Sequence, residues 1–391
     1  MAAEKCPRSL YEESEKARLH PLAALSSDAK YASRQHPVDP DLFRTEFHRD
    51  YTRVIHSRSF RRLRHKTQVF ILAQNDHICT RLEHSLYVAS VAVTIARALR
   101  LNEDLAAAIA VGHDLGHAPF GHKGEKCLNG LAAEHQVGRF SHELQSLRVV
   151  DLVDSAPGKP HKGLNLTFAV RDGIVCHCGE LFERTLAPNR AKLLADLSFV
   201  EAGKSAPATL EGCIVRWADK IAYLGRDLED ALTVGLLARE DVPTVVLDRL
   251  GSTNGAIIAS LVSGIVANGI ENDSISLGDG LHEAVIALKE FNYSRIYRTE
   301  AATQASAQID RAMRALFECL VAELQKLDGD AAPLKDSKVV CLKVLGQFLE
   351  EDIKEWPKEQ LPRIVLDYIA GMTDSFFTRS FEELFVPDSI F

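Results

Sequence analysis

The 391-residue sequence contains no long apolar run. Its most apolar late stretch, residues 255–270, is interrupted by serine, asparagine and three glycines, and it is shorter than the roughly 20 residues that a membrane-spanning helix needs. The first residues, Met1-Ala-Ala-Glu-Lys, are charged where a secretory signal would be apolar. We therefore expect neither membrane insertion nor export.

Cysteine spacing of the kind that frames disulfides or zinc sites is missing as well. Eight cysteines are scattered along the chain. The tightest group, Cys176-His177-Cys178, lacks the two-to-four-residue gap and the second pair of a zinc motif. Scattered thiols are ordinarily reduced in the cytoplasm, so the sequence predicts a cytoplasmic protein.

The chain also lacks a positive net charge, since its formal charge at pH 7 is −8. A protein that coats nucleic acid is usually basic, and that general function is therefore disfavoured. Basic residues are instead concentrated locally, between Arg49 and Lys66. A local cluster of this kind in an acidic protein suits a small polyanion better than a long one.

Strand-like alternation and internal repeats are scarce, whereas helical periodicity recurs along the chain. Residues 44–55 place Phe47, Tyr51, Val54 and Ile55 on one helical face. Residues 105–111 are apolar almost all round, which predicts a central, buried helix. Residues 1–40 are polar, contain four prolines and are expected to form a loosely ordered N-terminal arm. The predicted fold class is all-α, or mostly α.

The residues that carry chemistry are concentrated between Arg81 and Glu125. This stretch ends in HDLGHAPFGHKGE (113–125), which holds five imidazole or carboxylate groups in thirteen residues. The adjacent His113 and Asp114 can hold one metal ion only where the backbone leaves a regular helix, and Gly116 supplies a break there. Converging imidazoles and carboxylates are typical of a site for a metal ion or a reacting phosphate.

Longer stretches of the sequence resemble the HD-type metal-dependent phosphohydrolases, and within them the deoxynucleoside triphosphate triphosphohydrolases. The similar segments are HSRSFRRLRHKTQVF (56–70), RLEH (81–84), HDLGHAPFGH (113–122), DKIAY (219–223) and DYIAGMTD (367–374). The resemblance implies an HD-domain helical bundle at residues 41–235. It also implies a helical C-terminal region at residues 236–391, which would complete the substrate pocket and make oligomer contacts.

The resemblance assigns four metal ligands, His84, His113, Asp114 and Asp219. Two imidazoles and two carboxylates suit a divalent ion such as Mn²⁺, Mg²⁺ or Fe²⁺. The implied reaction is hydrolysis of a dNTP, with dGTP as one candidate, to deoxynucleoside and tripolyphosphate. Water would attack the α-phosphorus.

The same resemblance assigns the groups around the substrate by their positions in the matched motifs. The catalytic residues would be His117, His122, Glu125 and His142. Of these, His122 and Glu125 would transfer the proton, because residues three apart at a helix opening can share one face. The substrate-binding residues would be Gln68, Arg81, Lys220, Tyr223, Asp227, Lys289 and Tyr297. The cations suit a polyphosphate, although Lys289 stands where the family more often has arginine. Gln68, Asp227 and the two tyrosines are assigned to the deoxyribose.

Two other functions stay open. One is a different HD-type phosphohydrolase that acts on a nucleoside monophosphate or a signalling nucleotide. The other is a module with a vestigial site that binds nucleotides or single-stranded nucleic acid through residues 49–66. The resemblance also implies a homo-oligomer, as a tetramer or hexamer, and a dNTP as a candidate allosteric effector.

Overall fold

The structure, a computed structural model, describes residues 6–68, 79–155, 161–178, 183–298, 300–327, 330–352 and 360–387. Helices hold 65% of the chain and strands hold 3%, so the predicted all-α fold is confirmed. In the part of the chain that is described, no helix combines the length and the apolar character needed to cross a lipid bilayer.

Seventeen α-helices are found among the described residues. They are α1 (Pro7–Arg18), α2 (Glu46–Ile55), α3 (Arg58–Arg62), α4 (Arg81–Ala98), α5 (Glu103–Gly112), α6 (Gly121–Glu134), α7 (His142–Arg148), α8 (Phe168–Val175), α9 (Leu210–Thr233), α10 (Thr244–Arg249), α11 (Asn254–Asn268), α12 (Asp279–Asn292), α13 (Glu300–Gln325), α14 (Ala332–Lys335), α15 (Val340–Asp352), α16 (Leu361–Gly371) and α17 (Asp374–Phe385).

Three short strands form a small antiparallel sheet. They are β1 (Thr185–Leu186), β2 (Ile270–Glu271) and β3 (Ser274–Ser276), and their order in the sheet is β1-β3-β2. Ile275 of β3 pairs with Leu186 on one side and with Ile270 on the other.

The chain divides into two compact units, and each is built from three separate segments. Unit 1 comprises Met1–His56, Glu83–Asp114 and Asn165–Thr299. Unit 2 comprises Ser57–Leu82, Leu115–Leu164 and Glu300–Phe391. The division predicted from the sequence, with boundaries near residues 40 and 235, stays a prediction.

Helix α5 is the central helix of unit 1. The side chain of Asn102 accepts a hydrogen bond from the amide of Leu105 and caps the start of the helix. From Leu105 to Gly112 every residue except Ala107 is buried, because α2, α8 and α9 pack around the helix. The buried helix predicted from residues 105–111 is therefore confirmed.

The N-terminal segment of unit 1 is more ordered than its composition indicates. Residues 7–18 form α1, and Glu15 on this helix is only 8% exposed. The Glu15 carboxylate accepts hydrogen bonds from the amide and hydroxyl of Ser26 and from Asn102 Nδ2. A polar sequence looks solvated when read alone, whereas here the polar groups satisfy one another inside the fold.

The core of unit 2 joins two stretches that are far apart in sequence. Buried residues of α6, such as Leu128 and Leu131, pack in one apolar cluster with Met313 and Leu316 of α13 and with residues of α15, α16 and α17. This packing includes Ala118 and Phe120 of the loop before α6, and α7 is held by bonds from Gln145 and Arg148 to Asp367 of α16. These are the elements that carry the second group of candidate site residues.

Candidate functional site

The candidate metal centre lies in unit 1 and draws on three helices. His84 is in the first turn of α4, and Asp219 is in the third turn of α9. His113 and Asp114 directly follow α5, where the chain stops making regular helix. All four side chains belong to residues that are at most 9% exposed. The structure therefore brings the four predicted ligands into one unit.

The spacing of their ligand atoms fits a single ion. His84 Nε2 lies 3.0 Å from Asp219 Oδ1, and His113 Nε2 lies 3.4 Å from Asp114 Oδ1 and 3.8 Å from Asp219 Oδ1. Metal–ligand bonds of roughly 2.0–2.1 Å place neighbouring ligand atoms about 3.0–3.4 Å apart. Ligand atoms of His84, His113 and Asp114 all lie within 4.8 Å of one another. The donor set and its geometry both fit a divalent cation.

The tautomer of His113 also suits a ligand. Its Nδ1 lies 2.6 Å from the carbonyl oxygen of Ala110, one turn earlier in the chain. Because a carbonyl can only accept, Nδ1 carries the proton and Nε2 presents a lone pair toward the carboxylates. A histidine that binds a metal usually has this arrangement, in which the second ring nitrogen donates to an outer partner.

The electrostatics of the centre keep Asp219 ionised. Burial alone would raise the pKa of this carboxyl group. The hydrogen bond with His84 and the positive potential of His113, His84 and His177 outweigh burial, and they hold the pKa of Asp219 well below its usual range. An ionised, buried carboxylate among imidazoles is ready to take a cation.

One residue that sequence reasoning gave no role, His177, lies against this centre. It follows α8, is 1% exposed, and its ring lies edge-on to His113 with the centroids 4.9 Å apart. Its Nδ1 donates to the carbonyl oxygen of Ile174 at 2.6 Å, which repeats the His113–Ala110 geometry. The sequence feature that could have indicated His177 is its position at the end of a buried helix. The two flanking cysteines suggested a zinc site instead.

Lys220, next to Asp219 on α9, is a buried cation of unit 1. It is 4% exposed, and its Nζ lies 5.5 Å from the ring centroid of Trp217. Burial, and then the positive charge of Arg216, lower the pKa of Lys220 to about 8, against the opposing effect of Glu183 and Asp219. Its charge therefore depends on pH close to the physiological range.

The tyrosines assigned to the sugar also lie in unit 1. The hydroxyl of Tyr297 donates a hydrogen bond to Asp227 Oδ2. Burial first, and then the nearby carboxylates of Asp219 and Asp227, raise the pKa of Tyr223, and burial with Asp227 does the same for Tyr297. Both rings are therefore neutral phenols. Lys289 is half-buried in the last turn of α12, which packs against α9.

The other predicted catalytic side chains lie together in unit 2. His122 and Glu125 are in the first turns of α6, and His142 is the first residue of α7. The Glu125 carboxylate joins the two histidines. Its Oε2 is 3.0 Å from His122 Nδ1, its Oε1 is 3.0 Å from His142 Nδ1, and Oε1 also accepts the His142 amide at 2.8 Å. The predicted His122–Glu125 pair is thus in contact, and Glu125 is shared with a second histidine.

The rings of this histidine–glutamate cluster are arranged differently from those of the candidate metal centre. Ligand atoms of His117, His122, Glu125 and His142 lie within 4.8 Å of one another, so proximity alone would allow a metal. The rings of His117 and His142, however, are stacked with centroids 4.0 Å apart and planes inclined by 17°. The lone pairs of nearly parallel rings lie in the ring planes and do not converge on one point. Side-by-side ring edges instead suit the oxygens of a phosphate.

Charge in the cluster is centred on Glu125. Burial raises the pKa of this carboxyl group, but the charge of His142 and the hydrogen bonds with His122 and His142 hold it well below its usual range. The His142 side chain is 7% exposed, whereas that of His122 is 76% exposed. Within unit 2, His122 is therefore the member that reaches solvent while its Nδ1 is anchored to a carboxylate.

Gly116 allows α7 to approach this loop closely. A Cβ atom at this position would lie 2.1 Å from the backbone nitrogen of Ser146 and 2.6 Å from the carbonyl oxygen of His142. The glycine was predicted to break a helix, and the structure adds that only a residue without a side chain fits against α7 here.

Arg81 and Gln68 lie near the start of α6 in unit 2. Arg81 is 1% exposed, and its amide donates to the carbonyl oxygen of Lys66 at 3.1 Å. At Gly121, where φ is +58°, a Cβ atom would lie 3.0 Å from Arg81 Nη2 and 3.3 Å from the Gln68 carbonyl oxygen. Gln68 Oε1 is buried and accepts no hydrogen bond from the described residues.

Comparison with known proteins matches both the site and the C-terminal helices. The HD domain profile matches residues 81–224, and the phosphohydrolase-associated domain profile matches residues 342–383. The fold and the HD domain match thus define a metal-dependent phosphohydrolase of the HD class.

Relatives match nearly the whole chain. A deoxyguanosinetriphosphate triphosphohydrolase-like protein of Caldanaerobacter subterraneus subsp. tengcongensis is 37% identical over 384 residues, which cover 98% of this chain and 97% of that protein. A protein of the same description from Desulfatibacillum aliphaticivorans is 36% identical over 385 residues, with 97% and 98% covered. The chain belongs to the family of HD-domain, deoxyguanosinetriphosphate triphosphohydrolase-like proteins.

Proposed function

We propose that the protein is a dNTP triphosphohydrolase that cleaves a dNTP to deoxynucleoside and tripolyphosphate, with dGTP as the first substrate to test. Water attacks the α-phosphorus, and the bond from phosphorus to the 5′ oxygen breaks. The observation that carries the proposal is the set of four potential cation ligands in unit 1, His84, His113, Asp114 and Asp219; the histidine–glutamate cluster of unit 2 supports it by itself. The names of the relatives, which refer to deoxyguanosine triphosphate, support the substrate class.

His84, His113, Asp114 and Asp219 would hold the divalent ion, which we propose to be Mn²⁺, Mg²⁺ or Fe²⁺. Such an ion polarises a phosphoryl oxygen and makes water more acidic. The protein contributes the orientation of its ligands. The Ala110 carbonyl fixes the tautomer of His113, and the neighbouring imidazoles keep Asp219 ionised.

The triphosphate would be bound by cations and by imidazole N–H groups. In unit 2 these are Arg81, His117 and His142, where the stacked rings present their edges side by side. In unit 1 they are Lys220, next to a metal ligand, and Lys289. Arginine can grip two phosphate oxygens at once, whereas lysine acts as a point charge.

His122 would donate the proton to the departing 5′ oxygen. The hydrogen bond between His122 and Glu125 at 3.0 Å supports this role, because the carboxylate fixes the direction of the ring. Its exposed side chain leaves Nε2 accessible to a substrate. Glu125 serves as a positioning residue for His122 and for His142.

Four residues would hold the deoxyribose. Gln68 and Asp227 supply hydrogen-bond acceptors for the 3′-hydroxyl group. Tyr223 and Tyr297 are neutral phenols, and a ring packed against C2′ would exclude a ribose 2′-hydroxyl by steric conflict. This assignment predicts a preference for deoxynucleotides over ribonucleotides.

A homo-oligomer, as a tetramer or hexamer, and activation by a dNTP effector are further parts of the proposal, as is binding of single-stranded nucleic acid by the basic stretch 49–66. We also propose a cytoplasmic location. All eight cysteines are present as thiols, which is the state that reducing compartments maintain.

The test is an assay of reaction products. Purified protein is incubated with Mn²⁺ and each dNTP separately, and deoxynucleoside, tripolyphosphate, pyrophosphate and phosphate are resolved by ion-exchange chromatography. Equal amounts of deoxynucleoside and tripolyphosphate, lost in Asp114→Ala, are the expected result. Phosphate or pyrophosphate alone would point to a different HD phosphohydrolase, which acts on a monophosphate or a signalling nucleotide.

Two further outcomes of the same assay are informative. Turnover in a mixture of dNTPs but not with single dNTPs would indicate activation by a nucleotide. No turnover under any condition, together with salt-sensitive binding of oligonucleotides, would support a binding module with a vestigial site.

A further inference from the structure

The segment from Asp367 to Asp374 matched the family in sequence but has no part in the chemistry assigned so far. We propose that Asp374 is a positioning residue that fixes the turn before α6 and thereby places the His122–Glu125 pair. The inference rests on the proposed function for its activity test, and its structural test is independent of that function.

Asp374 holds two segments of unit 2 at once. Its Oδ1 accepts the amide of Phe120 at 3.0 Å, and its Oδ2 accepts the hydroxyl and the amide of Thr67 at 2.6 and 3.2 Å. The residue is 3% exposed. A buried carboxylate with three donors is a strong, directional anchor.

The turn that Asp374 fixes is strained. Phe120 has φ 61° and ψ 22°, the left-handed conformation that a bulky residue rarely adopts, and Gly121 follows with φ 58°. Such a conformation persists only where its surroundings hold it. The hydrogen bond from the Phe120 amide to Asp374 is such a restraint. It acts two residues before His122.

The orientation of the His122 imidazole depends on this turn more than the orientation of a buried, packed side chain would. Its side chain is 76% exposed, and its ring meets those of His117 and His142 edge-on, with centroids 5.3 and 5.7 Å away, so packing restrains the imidazole only weakly. Its direction comes from the first turn of α6 and from the hydrogen bond to Glu125. A shift of the Phe120–Gly121 turn would therefore move the proton donor directly.

Lys66 makes a second connection between the loop before α6 and the end of α16. The Nζ of Lys66, a residue only 2% exposed, donates to the carbonyl oxygens of His117 and of Ala370, the latter at 2.6 Å. The loop that carries His117 and Phe120 is thus attached at two points to the end of α16 and the start of α17.

Asp367 provides an internal comparison seven residues earlier. Its carboxylate accepts bonds from Gln145 Nε2 at 2.9 Å and from Arg148 Nε at 2.7 Å, and it pairs with Arg363. These partners lie on α7 and on α16 itself. Asp367 therefore stabilises helix α7 through its side chains, whereas Asp374 accepts a hydrogen bond from the backbone of the turn before α6.

The experiment compares Asp374→Ala and Asp374→Asn with the exposed, matched control Asp336→Ala. Turnover is measured with a dNTP and with the 4-nitrophenyl ester of thymidine 5′-monophosphate. The ester's leaving group departs without protonation, so its hydrolysis does not need a proton donor. Binding of Mn²⁺ by calorimetry and amide exchange of residues 117–126 complete the set.

Asp374→Ala should lower kcat for the dNTP by about 10²-fold, as expected when a catalytic group is misplaced by about 1 Å. KM, Mn²⁺ affinity and ester hydrolysis should change less than about threefold, and exchange at 117–126 should increase. Asp374→Asn should recover most of kcat, because its Oδ1 can still accept from the Phe120 amide.

Equal losses with the dNTP and the ester, or an unchanged exchange rate at residues 117–126, would overturn the proposal. If Asp374→Ala does not fold, Thr67→Val, which removes the hydroxyl donor to Asp374 Oδ2, decides in its place, and it must lower kcat for the dNTP more than for the ester. If the wild-type protein releases no tripolyphosphate, the proposed function fails. The amide exchange result still decides whether Asp374 holds the turn.

Discussion

Two clusters of histidine and carboxylate in this protein differ in how their rings are arranged. In unit 1 the rings of His84 and His113 are inclined by 67°, and carboxylate oxygens lie 3.0–3.8 Å from their Nε2 atoms. In unit 2 the rings of His117 and His142 are nearly parallel. The Glu125 carboxylate is hydrogen-bonded to Nδ1 of His142 and to Nδ1 of His122.

Residue type alone therefore does not separate the proposed metal site from the proposed proton-transfer site. In the first cluster, His113 Nδ1 donates to the carbonyl oxygen of Ala110, and carboxylate oxygens lie near Nε2. In the second, the Glu125 carboxylate lies between the Nδ1 atoms of His122 and His142. The two clusters thus differ in which ring nitrogen faces the carboxylates.

The largest expected effect is the loss of the metal ion. Asp114→Ala should abolish both Mn²⁺ binding in calorimetry and hydrolysis, because it removes a carboxylate from a buried set of two. The exposed Asp248→Ala is the matched control and should behave like the wild type. Retained Mn²⁺ affinity in Asp114→Ala would contradict the assignment of the cation to unit 1.

Removing the proton donor should have a smaller effect and a different signature. His122→Ala should lower kcat for the dNTP by about 10²–10⁴-fold, the usual contribution of general acid catalysis, with Mn²⁺ affinity unchanged. The control is His135→Ala, an exposed histidine that follows α6. A parallel loss of Mn²⁺ binding would show that the second cluster also holds a cation.

Removing His177, whose ring lies edge-on to His113, should weaken metal binding without abolishing it. His177→Ala should lower Mn²⁺ affinity by about 10–100-fold, as outer partners of metal ligands commonly do. The edge-on ring contact that helps to fix the orientation of His113 is lost. Unchanged affinity, measured by calorimetry, would limit His177 to packing.

The smallest expected effect is a pH dependence from Lys220. The pKa of Lys220 is lowered to about 8 by burial, so the side chain loses its charge above that pH and KM for the dNTP should rise by about tenfold. Lys220→Arg should flatten this rise, because arginine stays charged. A KM profile that is flat from pH 7 to 9 in the wild-type protein would exclude Lys220 as a phosphate ligand.

The lowered pKa of Lys220 also affects stability. Rising pH, which is expected to weaken substrate binding, is expected to stabilise the folded protein. Between pH 8 and the unfolded value of 10.5, the unfolded chain binds more protons at Lys220 than the folded chain does. The free energy of unfolding should therefore rise with pH across this window. Lys220→Met should remove that rise, as measured by denaturant unfolding.

Much of this architecture was readable from the sequence because periodicity and side-chain chemistry are local properties. The buried helix at 105–111 follows from its apolar residues, and the all-α class follows from recurring helical faces. The four ligands and the His122–Glu125 pair carry recognisable side chains at recognisable spacings, and the structure brings each set together.

What could not be read depends on contacts that leave no side-chain signature. Each unit is assembled from three separate chain segments, and their grouping is set by packing between residues distant in sequence. The ordered start of the chain depends on Glu15 meeting Ser26 and Asn102, and a window of polar residues does not reveal this. Asp374 matched the family, yet its partner at Phe120 is a backbone amide, which any residue except proline would supply.

The composition of the unit 2 core has a consequence for how the protein is made. Its apolar cluster joins residues 118–140 to residues 309–377, and the bond from Thr67 to Asp374 spans 307 positions. During synthesis the apolar side of α6 therefore leaves the ribosome long before α13, α16 and α17 exist to cover it. Nascent chains with exposed apolar surface tend to aggregate, so yield on expression should depend on chaperone capacity, and truncation before α16 should leave α6 without its cover.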